Sequence, residues 1–117
     1  MTVIRQEDLI ESIADALQFI SYYHPLDFIR AMRGAWEKEE SPSAKAALTQ
    51  VLVNSRMCAI GKRPICQDTG IVNVFISVGM DVSWEADMSL EDMINEGVRR
   101  GYTHPENVLR GSVLEDP

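Results

Sequence analysis

The sequence has little of what would place it in a membrane, on nucleic acid or in an oxidising compartment. Its longest apolar stretch, around Ile71 to Met80, is about half of the ~20 residues needed to cross a bilayer. The N-terminus, MTVIRQEDLIESIADAL, carries Glu7, Asp8 and Glu11 and develops neither the basic start nor the apolar run of a secretory signal. Two cysteines, Cys58 and Cys66, are too few for a disulfide framework, so free thiols in a reducing, cytoplasmic setting are expected. Basic charge is also scarce. Eleven Lys and Arg stand against eighteen Asp and Glu, and the formal net charge of -7 opposes a phosphate backbone or an anionic membrane surface. No nucleic-acid or membrane partner is therefore expected. No Pro/Gly tract or single-residue run signals disorder.

What remains is an ordinary globular composition, 45% hydrophobic and 25% charged, in 117 residues, enough for one domain with its own core. Leu9, Ile10, Ile13, Leu17 and Ile20 recur at steps of three and four and predict a helix from about Gln6 to Tyr22. Pro25 suits the first position of a second helix with Phe28, Ile29, Met32 and Trp36 inward. Its acidic end, Glu37 to Glu40, opposes the helix dipole and should fray. Ser41-Pro42 repeats a hydroxyl cap followed by proline, and Ala47, Leu48, Val51, Leu52, Ser55 and Cys58 carry a third helix to Gly61.

The character of the chain then changes. IVNVFISV, residues 71–78, is β-branched and alternating, and predicts a strand buried mainly on one face. A turn or short strand through Met80 to Trp84 follows. Ser89 caps a fourth helix with Leu90, Met93, Ile94, Gly97 and Val98 inward, and Arg99 and Arg100 complement its end. The expected fold class is α/β, with an α+β-like order of N-terminal helices, a strand region and a further helix. The tail YTHPENVLRGSVLEDP lacks a terminal cap and reads as continuing into further polypeptide.

Between third helix and strand lies KRPICQDTG, residues 62–70, a junction whose backbone and side chains are placed to meet a ligand. Lys62 and Arg63 bring local positive charge that would favour a Cys66 thiolate and attract an anion. Gln67 and Asp68 could bond a small polar substrate, and Gly70 permits close approach or positive φ. The residues alone fit a plainer account equally: Asp68-Thr69-Gly70 as a turn entering a strand, and Cys66 as a small half-buried thiol. Cys58 lies on the inward helix face and reads as a packed residue, and His24 and His104 as surface or capping residues.

RPICQDTG followed by IVNVF closely resembles the signature of the class I, iron-sulfur dependent fumarases and the wider fumarase and tartrate dehydratase hydro-lyases. SYYHPLDFIRAM, NSRMCAIGKRPICQDTG, NEGVRRGY and LRGSVLEDP extend the resemblance along the chain. The resemblance implies a hydro-lyase interconverting fumarate and L-malate, as in the tricarboxylic acid cycle. It implies a 4Fe-4S cluster with Cys66 as one of three cysteine ligands and the open iron acting as Lewis acid. It puts Gln67, Asp68 and Arg110 on the dicarboxylate and gives Thr69 and Gly70 the shaping of the loop. Full-length members run several hundred residues further and are dimers, so residues 1–117 would be the N-terminal part of a larger catalytic domain. Its other ligands and catalytic base would lie elsewhere, leaving the piece inactive alone. Two alternatives stand beside this: a non-catalytic helical α/β interaction module, and a related hydro-lyase acting on tartrate or mesaconate.

Overall fold

The first strand lies where the chain begins. In the computed structural model, which describes residues 1–66, 68, 70–107 and 109, the order is β1 (Thr2–Arg5), α1 (Gln6–Tyr22), α2 (Leu26–Lys38), α3 (Pro42–Gly61), β2 (Val82–Glu85) and α4 (Leu90–Thr103). This is an α/β arrangement: N-terminal helices, a short parallel sheet and a further helix. β1 and β2 pair in parallel with Thr2 opposite Val82 and Arg5 opposite Glu85. A parallel pair needs a long crossover, here residues 6–81, so the sheet joins segments far apart in sequence. No described helix is long and apolar enough to cross a membrane.

The chain divides into two compact units, residues 1–18 with 69–117, and residues 19–68. The core of the first lies between α1 and α4. Ile10, Met93 and Leu17 are buried there, the first two almost completely. Met93, Gly97 and Gly101 are the buried residues of α4, four apart and therefore on one stripe. The glycines set the spacing. A Cβ at Gly97 would lie 2.7 Å from Ile13 Cβ and 2.9 Å from the Ile10 carbonyl oxygen, inside van der Waals contact. At Gly101 the nearest atom would be Leu17 Cδ1 at 3.3 Å.

Polar groups seal this pair at both ends. Gln6 Oε1 accepts from the Asp87 and Met88 amides at 3.0 and 3.1 Å, and Gln18 Nε2 donates to the Gly101 carbonyl at 3.1 Å. Ser89 caps α4 as expected, its Oγ accepting from the Asp92 amide at 3.1 Å. Arg99 and Arg100 bond acids rather than the last carbonyls. Both reach Glu96, and Arg100 also reaches Glu7 of α1 at 2.7 Å. The Arg99 hydrogen bonds first, and the Arg100 bond second, hold the Glu96 carboxyl down from 4.5 to about 2.

In the second unit α2 and α3 pack side by side. Trp36 Nε1 donates to Thr49 Oγ1 at 2.8 Å, and the Lys45 ammonium sits 4.3 Å from the Trp36 ring centroid. Pro25 stands just outside α2 as its N-cap rather than as its first residue. Ser41 flanks α3 without a side-chain cap, its Oγ 3.2 Å from Ser43 Oγ. The left-handed residue closing α3 is Lys62, φ 49°, with Gly61 still helical.

The strand expected over residues 71–78 is not formed. Residues 71–79 belong to no helix or strand, and Ile71, Val74, Phe75, Ile76 and Val78 are exposed. A β-branched run becomes a strand only where a neighbour supplies ladder partners. Among the described residues that partnership is made by Thr2–Arg5 with Val82–Glu85 instead.

Two kinds of prediction follow, the first at two glycines. Gly97→Ala should destabilise the protein by about 1–3 kcal/mol in urea titrations, because overpacking against Ile10 and Ile13 outweighs the roughly 1 kcal/mol that alanine adds to a helix. Gly34→Ala in α2, where a Cβ would meet nothing within 4 Å, should stabilise by about 0.5–1 kcal/mol. The second concerns acid. Glu96 has a depressed folded-state pKa, so its contribution is complete above 4.5 and drains away as pH falls toward about 2. The melting temperature of Glu96→Gln should fall less steeply than wild type across that window, and added salt should narrow the gap.

Candidate functional site

The quoted loop leaves α3 by a reversal that its sequence dictates. Lys62 turns into the left-handed region, where its amide and that of Arg63, at 3.1 Å, both bond the Cys58 carbonyl. Pro64 then offers no N–H and disfavours helix at Arg63, so the chain departs from the helix axis. Lys62 and Arg63 are exposed.

Successive residues of the loop are then tied to different helices. The Ile65 amide donates to the Ser21 carbonyl of α1 at 2.8 Å. The Cys66 amide donates to Asn54 Oδ1 of α3 at 3.0 Å, and the Asp68 amide donates back to the Ile65 carbonyl at 3.0 Å. Cys66 is exposed and Asp68 half-buried. Gly70 takes φ 74°, the left-handed conformation that glycine adopts without strain. The structure thus fixes Cys66 and Asp68 on one short turn. Gln67, Thr69 and Arg110 lie outside the described residues.

Cys58 is buried, as its helical position suggested. Its thiol lies 3.6 Å from Asn54 Oδ1 and 3.4 Å from the Pro64 carbonyl, both acceptors for a weak S–H donor. His104 is the C-cap residue of α4, with Nδ1 accepting from the Glu106 amide at 3.1 Å. His24 is more engaged than a surface residue. Its ring stacks on Phe28 with centroids 4.4 Å apart, and Nδ1 lies 2.9 Å from Ser55 Oγ.

The expected 4Fe-4S cluster is overturned. Among the described residues no group of three or more His, Cys, Asp or Glu stands together to hold a metal ion. The physical reason is local. Such a cluster needs several thiolates converging on it. This chain has two, one of them buried with its sulfur turned to two carbonyl oxygens. The residues present do not fit the cluster, and the iron-sulfur and metal-binding expectations for Cys66 fall with it.

A cleft of about 650 Å³ opens beside the loop, lined by Phe19, Ile20, Tyr23, His24, Pro25, Leu26 and Ile65. Its walls are mostly apolar, and of the described loop residues only Ile65 reaches it. Tyr23 and His24 bring its polar side chains, and among the described residues no Lys or Arg lines it to pair with a carboxylate. Cys66 and Asp68 are not among its lining residues. Sequence patterns did not single out Asn54 or the Ser21 carbonyl, since nothing local marks a side chain or carbonyl that bonds an amide many residues away.

Burial of the two thiols gives a direct prediction. In the native protein one thiol, Cys66, should react rapidly with a soluble alkylating reagent while Cys58 reacts only on denaturation; mass spectrometry of the digested adduct identifies which.

Two comparisons bear on this geometry. The family model described as Fumarate hydratase (Fumerase) matches residues 10–117. A protein from Methanocaldococcus jannaschii, assigned as the alpha subunit of an L(+)-tartrate dehydratase, is 28% identical over 88 residues. That alignment covers 75% of this chain and 31% of the relative, so the chain spans about a third of the curated relative it matches.

Proposed function

Because the chain belongs to the fumarate hydratase (Fumerase) family, we propose that it forms the N-terminal part of a hydro-lyase that reversibly adds water across the double bond of fumarate to give L-malate. The observation that carries this reading is the family match over residues 10–117, which includes the whole loop from Lys62 to Gly70. Over two-thirds of the relative's length lies beyond the aligned part. The groups that move the proton and complete the pocket are placed, in this proposal, in the corresponding polypeptide.

The residues divide by charge. A dicarboxylate is bound by cations and N–H donors, so Arg110 is proposed as a bidentate clamp on one carboxylate and Gln67 as an amide donor. Asp68 is unsuited to the carboxylates, since like charges repel. It is suited to the hydroxyl of malate or the water that becomes it, from which it can accept a hydrogen bond. Thr69 and Gly70 shape the turn beside it.

A second reading is favoured by the M. jannaschii relative, whose assignment names L(+)-tartrate. Malate and tartrate differ by one hydroxyl, and a site built to bond that group rejects the analogue lacking it by a wide margin.

The test is turnover by the complete product of the reading frame, followed by absorbance with fumarate, mesaconate and L(+)-tartrate. Fumarate should be the best substrate, and Asp68→Ala should lower kcat/KM about 10- to 100-fold, the worth of one hydrogen bond to a charged group. Faster turnover of tartrate would replace the first reading by the second. Failure with all three would overturn both.

A further inference from the structure

Asn54 occupies a position that the family reading does not explain. It lies on α3 one turn before Cys58, and its carboxamide oxygen meets an amide twelve residues later in sequence. From Asn54 to Gly61 the helix rises about 10 Å, so the loop must fold back along its own helix to make this bond. Lys62 and Pro64 produce the reversal, as described above, but neither determines where the returning chain stops. That is decided by what accepts the next free amides. Ile65 finds the Ser21 carbonyl and Cys66 finds Asn54 Oδ1. The Cys58 thiol also lies beside that oxygen and beside the Pro64 carbonyl, filling the angle between helix and returning loop.

We infer that Asn54 is a positioning residue: its carboxamide oxygen clamps the Cys66 amide to α3 and so fixes the direction in which the Cys66–Asp68 turn is presented. The chemistry of the site supports a side chain in this role. A backbone amide outside any helix or strand takes its partner from a side chain, a loop carbonyl or water, and here the Cys66 amide takes the Asn54 side chain. The Cys58 carbonyl already accepts from the Lys62 and Arg63 amides. Two consecutive amides held by two different helices leave the turn little freedom to pivot. One clamp alone would leave it a hinge.

The consequence for turnover rests on the hydro-lyase reading, whereas the clamp itself does not. Amide hydrogen exchange of the chain, read residue by residue by NMR, tests the clamp. In wild type the Cys66 amide should exchange well below the rate of an unprotected chain. Asn54→Ala should raise that rate about tenfold while amides in the body of α3 keep theirs, the scale expected for one hydrogen bond. Asn54→Asp keeps an acceptor oxygen in nearly the same place and should restore protection. An unprotected Cys66 amide in wild type would overturn the inference even if Asn54→Ala did not fold, and so would equal exchange in the Ala and Asp variants. In the complete enzyme Asn54→Ala should lower kcat/KM while Asn54→Asp recovers part of it. Unchanged turnover with a loosened Cys66 amide would overturn the positioning role. Lack of hydratase activity in the wild type would count against the hydro-lyase reading and leave the exchange result to decide Asn54.

Discussion

The close approach of α4 to α1 is the constraint on which the first unit depends. With hydrogen alone at Gly97, the two helices meet almost backbone to side chain, and Ile10 and Met93 are buried on either side of that contact. Everything else in the unit is arranged around this spacing. Gln6 can reach the Asp87 and Met88 amides, Gln18 the Gly101 carbonyl, and Arg100 the Glu7 carboxylate. The ion pairs are exposed and individually worth little. They mark the register of the two helices more than they hold it. The packed stripe of Met93, Gly97 and Gly101 supplies the dry contact that polar bonds at the rim then orient.

The second unit has a thinner core. Among its described residues Ser21, Ser55 and Cys58 are the buried ones, and α2 buries none. Order there comes from specific polar contacts as much as from apolar area: Trp36 with Thr49, His24 with Ser55, and the Asn54 oxygen with the Cys66 amide. Such contacts are directional. They suit a region whose task is to hold a loop at a set angle.

How much of this was legible in the sequence depended on range. The four helices were, because the period of 3.6 is local and the interruptions at His24-Pro25, Ser41-Pro42 and Ser89 are chemical. Even α1 ended where its periodicity ended, at Tyr22. Gly97 was legible as inward but not as the point of closest approach, since its neighbour is some 84 residues away in sequence. Of the strands, the second was legible in part, since a turn or short strand was expected through Met80 to Trp84 where β2 stands. Thr2–Arg5 is too short to show a pattern, and the pattern that did show, in Ile71 to Val78, lacked a described partner. Of the site, the positive φ of Gly70 agreed with its residue type, whereas Cys66, half-buried in the plainer account, is exposed. The cluster expectation went further than those residues could carry, because ligand convergence is a property of space and not of a string.

The cleft and the polar turn offer different chemistry to the hydro-lyase proposed above. The cleft is mostly apolar, with Tyr23 and His24 as its polar side chains and no Lys or Arg among its described lining residues to neutralise a dianion. Asp68, an acid, cannot neutralise one either. The described part of the turn offers backbone groups and one acceptor oxygen at a fixed angle, so in the proposed hydro-lyase its contribution would be geometric. A misplacement of about 1 Å in such a group is costly to catalysis, so rigidity at the turn matters more than charge there. This makes sense of a loop anchored by successive amides to two helices, and of its acceptor being a neutral carboxamide. A carboxylate at Asn54 could make the same bond but would add a further negative charge near the turn that already carries Asp68.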